Sequence, residues 1–271
     1  MHDWHVANGG DMMEAGAWKG ALWYDGHGES LSQAYRAEMV FVREQVGIAD
    51  VSTLGKIDVQ GPDAAEFLNR VYVNGFAKLP VGRARYGFML REDGIVMDDG
   101  TTSRIGETAY FMTTTTAQAA KVMSHLEFLL QVVWPDLRVT VASVSDQWAA
   151  MSIAGPKSRD VLMAAFPSID FSTEAIGHMG LHDAELVGPL AGIGVRIIRL
   201  TFSGELAYEV YTPTHFGRRI WEHLIEQGKP WNLRPYGLEA LGSLRIEKGH
   251  VVGSEMDGRT TLGDMGMGKM A

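Results

Sequence analysis

One pattern constrains this chain more than any other: it repeats itself. The stretches KIDVQGPDAAEFLNRV (56–71) and AAMSIAGPKSRDVLMAAF (149–166) each run as strand, Gly-Pro and apolar-periodic helix, with Pro62 and Pro156 suited to the first helical turn. Gly61 and Gly155 set the offset at 94 residues. Further on, AYFMTTTTAQAAKVMSHLEFLL (109–130) parallels AYEVYTPTHFGRRIWEHLIEQG (207–228): an Ala-Tyr strand, a Thr-containing turn and a helix carrying His-Leu, offset by 98 residues. Four landmarks in one order at nearly one spacing predict two copies of an α+β module, each like the split β-α-β plan. The expected division is a first module over 1–145, including an N-terminal extension, and a second over 146–271, together forming one binding unit.

The intervening sequence fits that plan. RYGFMLREDGIVMDDGTTSRIGETAYFMTTT reads as three strands with turns at Glu92-Asp93-Gly94 and Gly106-Glu107, and VRIIRLTFSGELAYEVYTP as a hairpin turning at Ser203-Gly204-Glu205. Antiparallel sheets with helices on one face follow. Modules duplicated in this way often meet about a pseudo-twofold axis, and ligand clefts favour such junctions. The conspicuous acidic strand positions, in MDDG and AYEVY, fall in opposite halves. Neighbouring strand residues point to opposite faces, so at most one of Asp98 and Asp99 can look into a given pocket. Alternation alone does not choose between them.

Composition narrows the chemistry. A chain of 271 residues with 46% hydrophobic and 21% charged residues can bury a real core, and it has no apolar run near the roughly 18 residues of a membrane span. The start, MHDWHVANGG, has no secretory pattern, so the cytoplasm is the expected location. The absence of cysteine rules out disulfides, thiolate metal sites and cysteine nucleophiles. A formal charge of −9 argues against a duplex nucleic-acid partner. No Gly-x-Gly-x-x-Gly, Walker loop or Gly-x-Ser-x-Gly elbow is present, and the nine scattered histidines have no spacing that points to a metal. What remains is carboxylates, aromatics and threonines.

Five stretches in order, HDWHVANGGDMMEAGAWKGALWY, DVSTLGKIDVQGPDAAEFLNRV, RYGFMLREDGIVMDDG, FSGELAYEV and YGLEALGSLRIEKGHVVGSEMDGRTT, resemble the folate-binding fold of the glycine cleavage T-protein (aminomethyltransferase) family over essentially the whole chain. TLGKIDVQGPDA, LGSLRIEKG and the trailing EMDGRTTLGDMGMGKM look most like the folate domain of sarcosine oxidase alpha subunits. The resemblance implies a tetrahydrofolate site. It places Asp99, the second acid of the pair, next to N10 of the folate as the catalytic carboxylate, and Tyr86, thirteen residues earlier, as an aromatic lining the site. It places Glu209 on the pterin, seven residues after Phe202, and Leu54 against the ring; Glu205, at the hairpin turn, reads as a solvated rival. Thr115 stands where T-proteins carry Asn, and Leu241 where they carry an Arg associated with the acidic folate tail, with Arg245, Lys248 and Arg234 as substitutes.

The activity implied is capture of an imine or formaldehyde from N-methyl amine oxidation, giving 5,10-methylenetetrahydrofolate. The flavin for that oxidation belongs to another segment or subunit, because no flavin motif is present here. The family pattern continues into a C-terminal β domain that this sequence lacks, which makes the face left by it a candidate for partner binding or self-association. The alternatives are a non-catalytic folate-binding assembly or regulatory protein, disfavoured by the absence of that group's Lys-Gly-Cys signature, and a folate-dependent demethylase of another methyl donor.

Overall fold

The computed structural model describes residues 1–24, 28 and 30–270. In chain order its first elements are α1 (His2–Ala7), β1 (Gly10–Ala15), β2 (Trp18–Tyr24), α2 (Leu31–Glu44), β3 (Gly47–Asp50), β4 (Gly55–Gln60), α3 (Ala64–Val71), β5 (Arg83–Leu90), β6 (Val96–Gly106), β7 (Ala109–Thr114) and α4 (Ala119–Phe128). Then follow β8 (Thr140–Ser143), β9 (Trp148–Ala154), α5 (Ser158–Ala165), β10 (Leu181–Glu185), β11 (Gly194–Ile198), β12 (Ala207–Pro213), α6 (Gly217–Gly228), β13 (Arg234–Pro235) and α7 (Leu238–Lys248). Among the described residues, no helix is long and apolar enough to cross a membrane.

The duplication is written into the sheets. Besides the two-stranded sheet β1-β2, one sheet runs β10-β11-β12-β9-β3-β13 and another β5-β6-β7-β4-β8, so β10-β11-β12-β9 repeats the order of β5-β6-β7-β4. In each module a helix follows the first strand and another follows the last. The pairs are antiparallel except the short edge pair β13 with β3. The helices repeat as well: α3 buries Ala64, Phe67, Leu68 and Val71, and α5 buries Ser158, Val161, Leu162 and Ala165. Both sets follow the i, i+3, i+4, i+7 spacing of a single helix face.

The expected division at 145/146 requires correction. The chain gathers into two compact units, Met1–Thr53 with Asp146–His250 and Leu54–Ser145 with Val251–Ala271. The junction after Ser145 is kept, but the N-terminal segment belongs with the second module and the C-terminal segment with the first. Edge pairing is the reason. Strand β3 precedes the first module yet pairs with β9, and β8 precedes the second yet pairs with β4, so each sheet gains a strand that covers an otherwise bare edge.

The two Gly-Pro turns make room for this exchange. Gly61 (φ 142°) would place a Cβ 2.0 Å from the Arg138 carbonyl oxygen on the way into β8, and Gly155 (φ 132°) would place one 2.5 Å from the Gln45 oxygen just before β3. Both positions combine a left-handed φ with backbone contact too close for any side chain. The helices start at Ala64 and Ser158, so Pro62 and Pro156 sit in the turns ahead of them rather than in the first helical turn. Each turn is closed by a hydrogen bond of 3.0 Å, Ala64 N to Gly61 O and Ser158 N to Gly155 O.

Each unit has its own core. Ile57, Val59, Met89 and Met112 pack against Phe67 and Leu68 of α3 and Val122 and Leu126 of α4. Met151, Ile153, Ile197, Tyr208 and Val210 pack against Val161 and Leu162 of α5 and Ile220, Trp221 and Leu224 of α6. These residues take alternate positions along their strands, and the opposite faces mix polar side chains such as Asp99 and Glu209 with buried apolar ones such as Phe88 and Ile198.

Candidate functional site

In the unit Leu54–Ser145 with Val251–Ala271, β6 carries the acid pair. Its register sets Asp99 opposite Phe88 and Asp98 opposite Met89 on β5. Directly opposed residues share a face, so Asp99 lies with Phe88, Tyr86 and Thr101, while Asp98 lies with Met89 on the side of the α3 and α4 core. The register slips between Met89 and Leu90, where Met97 bulges out immediately before the acids. Such a bulge bends a strand and re-aims the side chains beside it.

Asp99 accepts the Tyr86 hydroxyl on Oδ2 at 2.7 Å and the Thr115 hydroxyl on Oδ1 at 3.4 Å. Burial raises its pKa, and the donations from Tyr86 and Thr115 pull the other way. Tyr86 stands edge-on to Phe88, with centroids 5.1 Å apart, and burial and then Asp99 push its own ionisation up. Thr115 follows directly on β7. Its main-chain N–H donates to Asp98 Oδ2 at 3.2 Å, so one residue touches both acids. Asp98 is only 2% exposed, and its Oδ1 has no hydrogen-bond partner among the described residues. Burial pushes Asp98 up to about 7, with the Thr115 donation opposing and the Asp99 charge adding.

The C-terminal segment closes over the Asp99 face. Phe88 and Val96 pack with Met256 and Leu262. Gly253 sits against Thr115, where a Cβ would come within 2.8 Å of Thr115 Cγ2. Leu54 opens this unit, and the fully buried Lys56 donates through Nζ to the Leu54 carbonyl at 2.9 Å and to that of Ser145 at 3.2 Å, fixing the turn that presents Leu54.

In the unit Met1–Thr53 with Asp146–His250, Glu209 occupies the middle of β12, opposite Ile198 on one side and Ser152 on the other. It is 8% exposed and takes a short hydrogen bond from the hydroxyl of Tyr211, two residues on and on the same face. Burial, and then the Glu209 charge, raises the Tyr211 pKa. Arg196 shares that face and binds Asp183 through two bonds of 2.8 Å. Phe202, in the connection from β11 to β12, meets the His250 ring edge at 5.7 Å.

Arg245 is buried on α7 and donates from Nε to Gly242 O at 3.1 Å and from Nη1 to His250 O at 3.0 Å, capping its own helix. Glu205 is not a free solvated acid: it pairs with Arg43, which also binds Glu247. The structure thus joins Asp99, Tyr86 and Thr115 in one unit, and Phe202, His250 and Arg245 in the other.

The sequence reading missed three residues here. Tyr211 was legible, since residues two apart on a strand share a face. Asp98 was passed over because the resemblance chose Asp99 and so left its neighbour on the other face, and nothing local marks Lys56 as an anchor for Leu54.

All of this chain, residues 1–271, matches the family model described as the GCVT N-terminal domain. The chain belongs to that family. Among its relatives, the sarcosine oxidase subunit alpha of Rhizobium meliloti (strain 1021) is 49% identical over 271 residues, which is 100% of this chain and 27% of the relative. That of Corynebacterium sp. (strain P-1) is 46% identical over 98% of this chain, again 27% of the relative. This chain therefore spans about a quarter of the length of those curated relatives. The aminomethyltransferase of Saccharopolyspora erythraea is 30% identical over 100% of this chain and 69% of its own length.

Among solved structures, the glycine cleavage system aminomethyltransferase T of Bartonella henselae superposes with a TM-score of 0.77 at 23% identity, covering 93% of this chain and 62% of that one. At that identity the match establishes the α+β fold. Identity to the alpha subunits exceeds that to the aminomethyltransferases, in line with the resemblance carried by the motifs.

Proposed function

We propose that this GCVT-family chain binds tetrahydrofolate and serves one-carbon transfer, capturing the carbon released from a sarcosine-type N-methyl amine as 5,10-methylenetetrahydrofolate. The observation that carries the reading is Asp99, an acid at a bulged strand, mostly withdrawn from water and held by the hydroxyls of Tyr86 and Thr115. A carboxylate so placed can take a proton from a ring or anilinic nitrogen or stabilise positive charge developing there. Burial raises its proton affinity, which suits a base, while the two donors oppose that rise.

The donor set fits a reduced folate. Glu209, oriented by Tyr211, offers the two carboxylate oxygens that a pterin ring N–H and exocyclic amine can meet in parallel, each bond contributing roughly 1.5–3 kcal/mol. Arg245 has carbonyls on Nε and Nη1, so what it brings to an anionic tail is its charge, and Lys248 and Arg234 are exposed cations available for the same role. When bound, the folate supplies the nitrogens that receive the carbon. The oxidation that releases the carbon is assigned to a flavin-bearing segment or subunit outside this sequence.

Calorimetric and thermal-shift titration of the chain with tetrahydrofolate should show saturable binding and a rise in Tm. Asp99→Asn should keep binding within a few-fold and slow methylenetetrahydrofolate formation from formaldehyde, above the spontaneous rate, by roughly 10²-fold or more. No shift with either tetrahydrofolate or its polyglutamate would end the folate reading. Unchanged turnover would remove Asp99 from the chemistry.

A further inference from the structure

Asp98 is a carboxyl group that the proposed reaction does not use, in a place where carboxyl groups are costly. It is 2% exposed, and one of its oxygens has no partner among the described residues. Among the described residues, the titratable groups whose charges bear on it are acids or phenols: Asp99 from its own strand, Tyr72 from the end of α3 and Tyr86 from β5. Glu255, from the C-terminal segment, bears on Asp99. Burying an uncompensated carboxylate costs several kcal/mol unless it binds a proton, so a core apolar residue would serve stability better.

Of the hydrogen bonds to Asp98, the one from the Thr115 main chain is the most informative. Thr115 N–H reaches Asp98 Oδ2 while Thr115 Oγ1 reaches Asp99 Oδ1. Two side chains on opposite faces of β6 are therefore tied to the two polar ends of one residue, just beyond the last residue of β7.

Resting on the folate reading above, we propose that Asp98 is a positioning residue for Asp99: through the Thr115 main-chain N–H it holds the Thr115 hydroxyl on Asp99, and its protonation state sets how firmly. With Asp98 ionised, the Thr115 N–H donates to a charged acceptor, the stronger kind of bond, and a second negative charge stands behind Asp99. With Asp98 protonated, the bond is neutral and that charge is gone. Burial holds its titration up to about 7, so both states are populated near neutral pH.

Two readouts test this on the full chain. The first is the Thr115 amide, followed by NMR from pH 5.5 to 8.5 without any ligand. It should titrate with a midpoint near 7 in the wild type and stay flat in Asp98→Asn, which keeps an oxygen acceptor for the N–H. A Thr115 amide that does not move near neutral pH, or that titrates equally in the variant, overturns the proposal whether or not the chain binds folate.

The second is kcat and KM for methylenetetrahydrofolate formation over the same range. Asp98→Asn should leave KM within about 2-fold and remove the inflection of kcat near pH 7, and Asp98→Ala should lower kcat at least 10-fold at every pH with KM little changed. Retention of the inflection in Asp98→Asn, or wild-type kcat in Asp98→Ala, overturns the positioning role. An absence of folate binding in the wild type refutes the proposed function instead, and the amide titration still decides whether Asp98 governs Thr115.

Discussion

Replacing Asp98 by Asn should change how stability depends on pH, and the size of the change follows from the site. Burial moves the Asp98 carboxyl from 3.8 up to about 7 in the folded protein. The folded state therefore holds a proton that the unfolded state has released throughout that interval. The stability tied to this proton is fully present below pH 4, falls as pH rises and is gone once pH passes through about 7. A shift of that size corresponds to about 4 kcal/mol at most, each unit being worth about 1.4 kcal/mol.

Asn carries no charge and so abolishes this dependence. It keeps an acceptor for Thr115 N–H but leaves an amide N–H₂ where Oδ1 stood without a partner, a loss of roughly 1–3 kcal/mol. The balance makes Asp98→Asn slightly less stable than wild type near pH 4.5 and more stable, by roughly 1–3 kcal/mol, near pH 8. Hydrogen exchange of the β5–β7 amides is the suitable assay, because it reports this unit alone and does not require the whole chain to unfold in one step. Glu38, in the other unit, is also pushed up to about 7 by burial, so only the difference between variant and wild type isolates Asp98. Parallel pH profiles for the two proteins would show that Asp98 does not bind the extra proton, and the reasoning from its burial would fail.

Other perturbations have equally definite signs. Gly100→Ala would place a Cβ 2.0 Å from the Thr113 carbonyl oxygen on β7, so backbone must move, and urea titration should show a loss of roughly 3 kcal/mol. Glu38 accepts the main-chain N–H groups of Tyr24 and Gly237, each at 2.8 Å. Glu38→Ala strands both in the interior and should cost roughly 2–5 kcal/mol, read from the Tm or from faster exchange at those two amides. Tyr86→Phe removes the 2.7 Å donation to Asp99 Oδ2, which favours the charged form. The acid limb of kcat/KM should therefore move to higher pH; a limb that stays put, or moves down, would show that Tyr86 does not bear on Asp99 in the reacting state.

How far the site could be read in advance depended on the range of the interaction. Asp99 facing away from Asp98 follows from the two-residue period of a strand, and Tyr211 beside Glu209 follows from the same rule, although it was not used. The tie between Asp99 and Thr115 joins residues sixteen positions apart across two strands and needs the register of β6. Arg245 shows the limit from the other side. Glu239 and Glu247 share α7 with it, but the chain ends that helix at Gly249 with a left-handed turn (φ 84°), and the guanidinium closes over the Gly242 and His250 carbonyls. Glu247 is drawn instead to Arg43, more than two hundred residues away in sequence.

The sequence by itself determined the duplicated modules, their strand and helix types, the turns and the placing of Asp98 and Asp99 on opposite faces of one strand. All of these rest on periodicities of two or 3.6 residues and on glycine and proline geometry, which act between near neighbours. The tertiary structure decided which sheet receives β3 and β8, how Asp98 and Asp99 come to share Thr115, and what Arg245 and Glu205 bind. Edge pairing and ion pairing depend on which groups folding brings within hydrogen-bond reach, and that proximity is not encoded in any local stretch of chain.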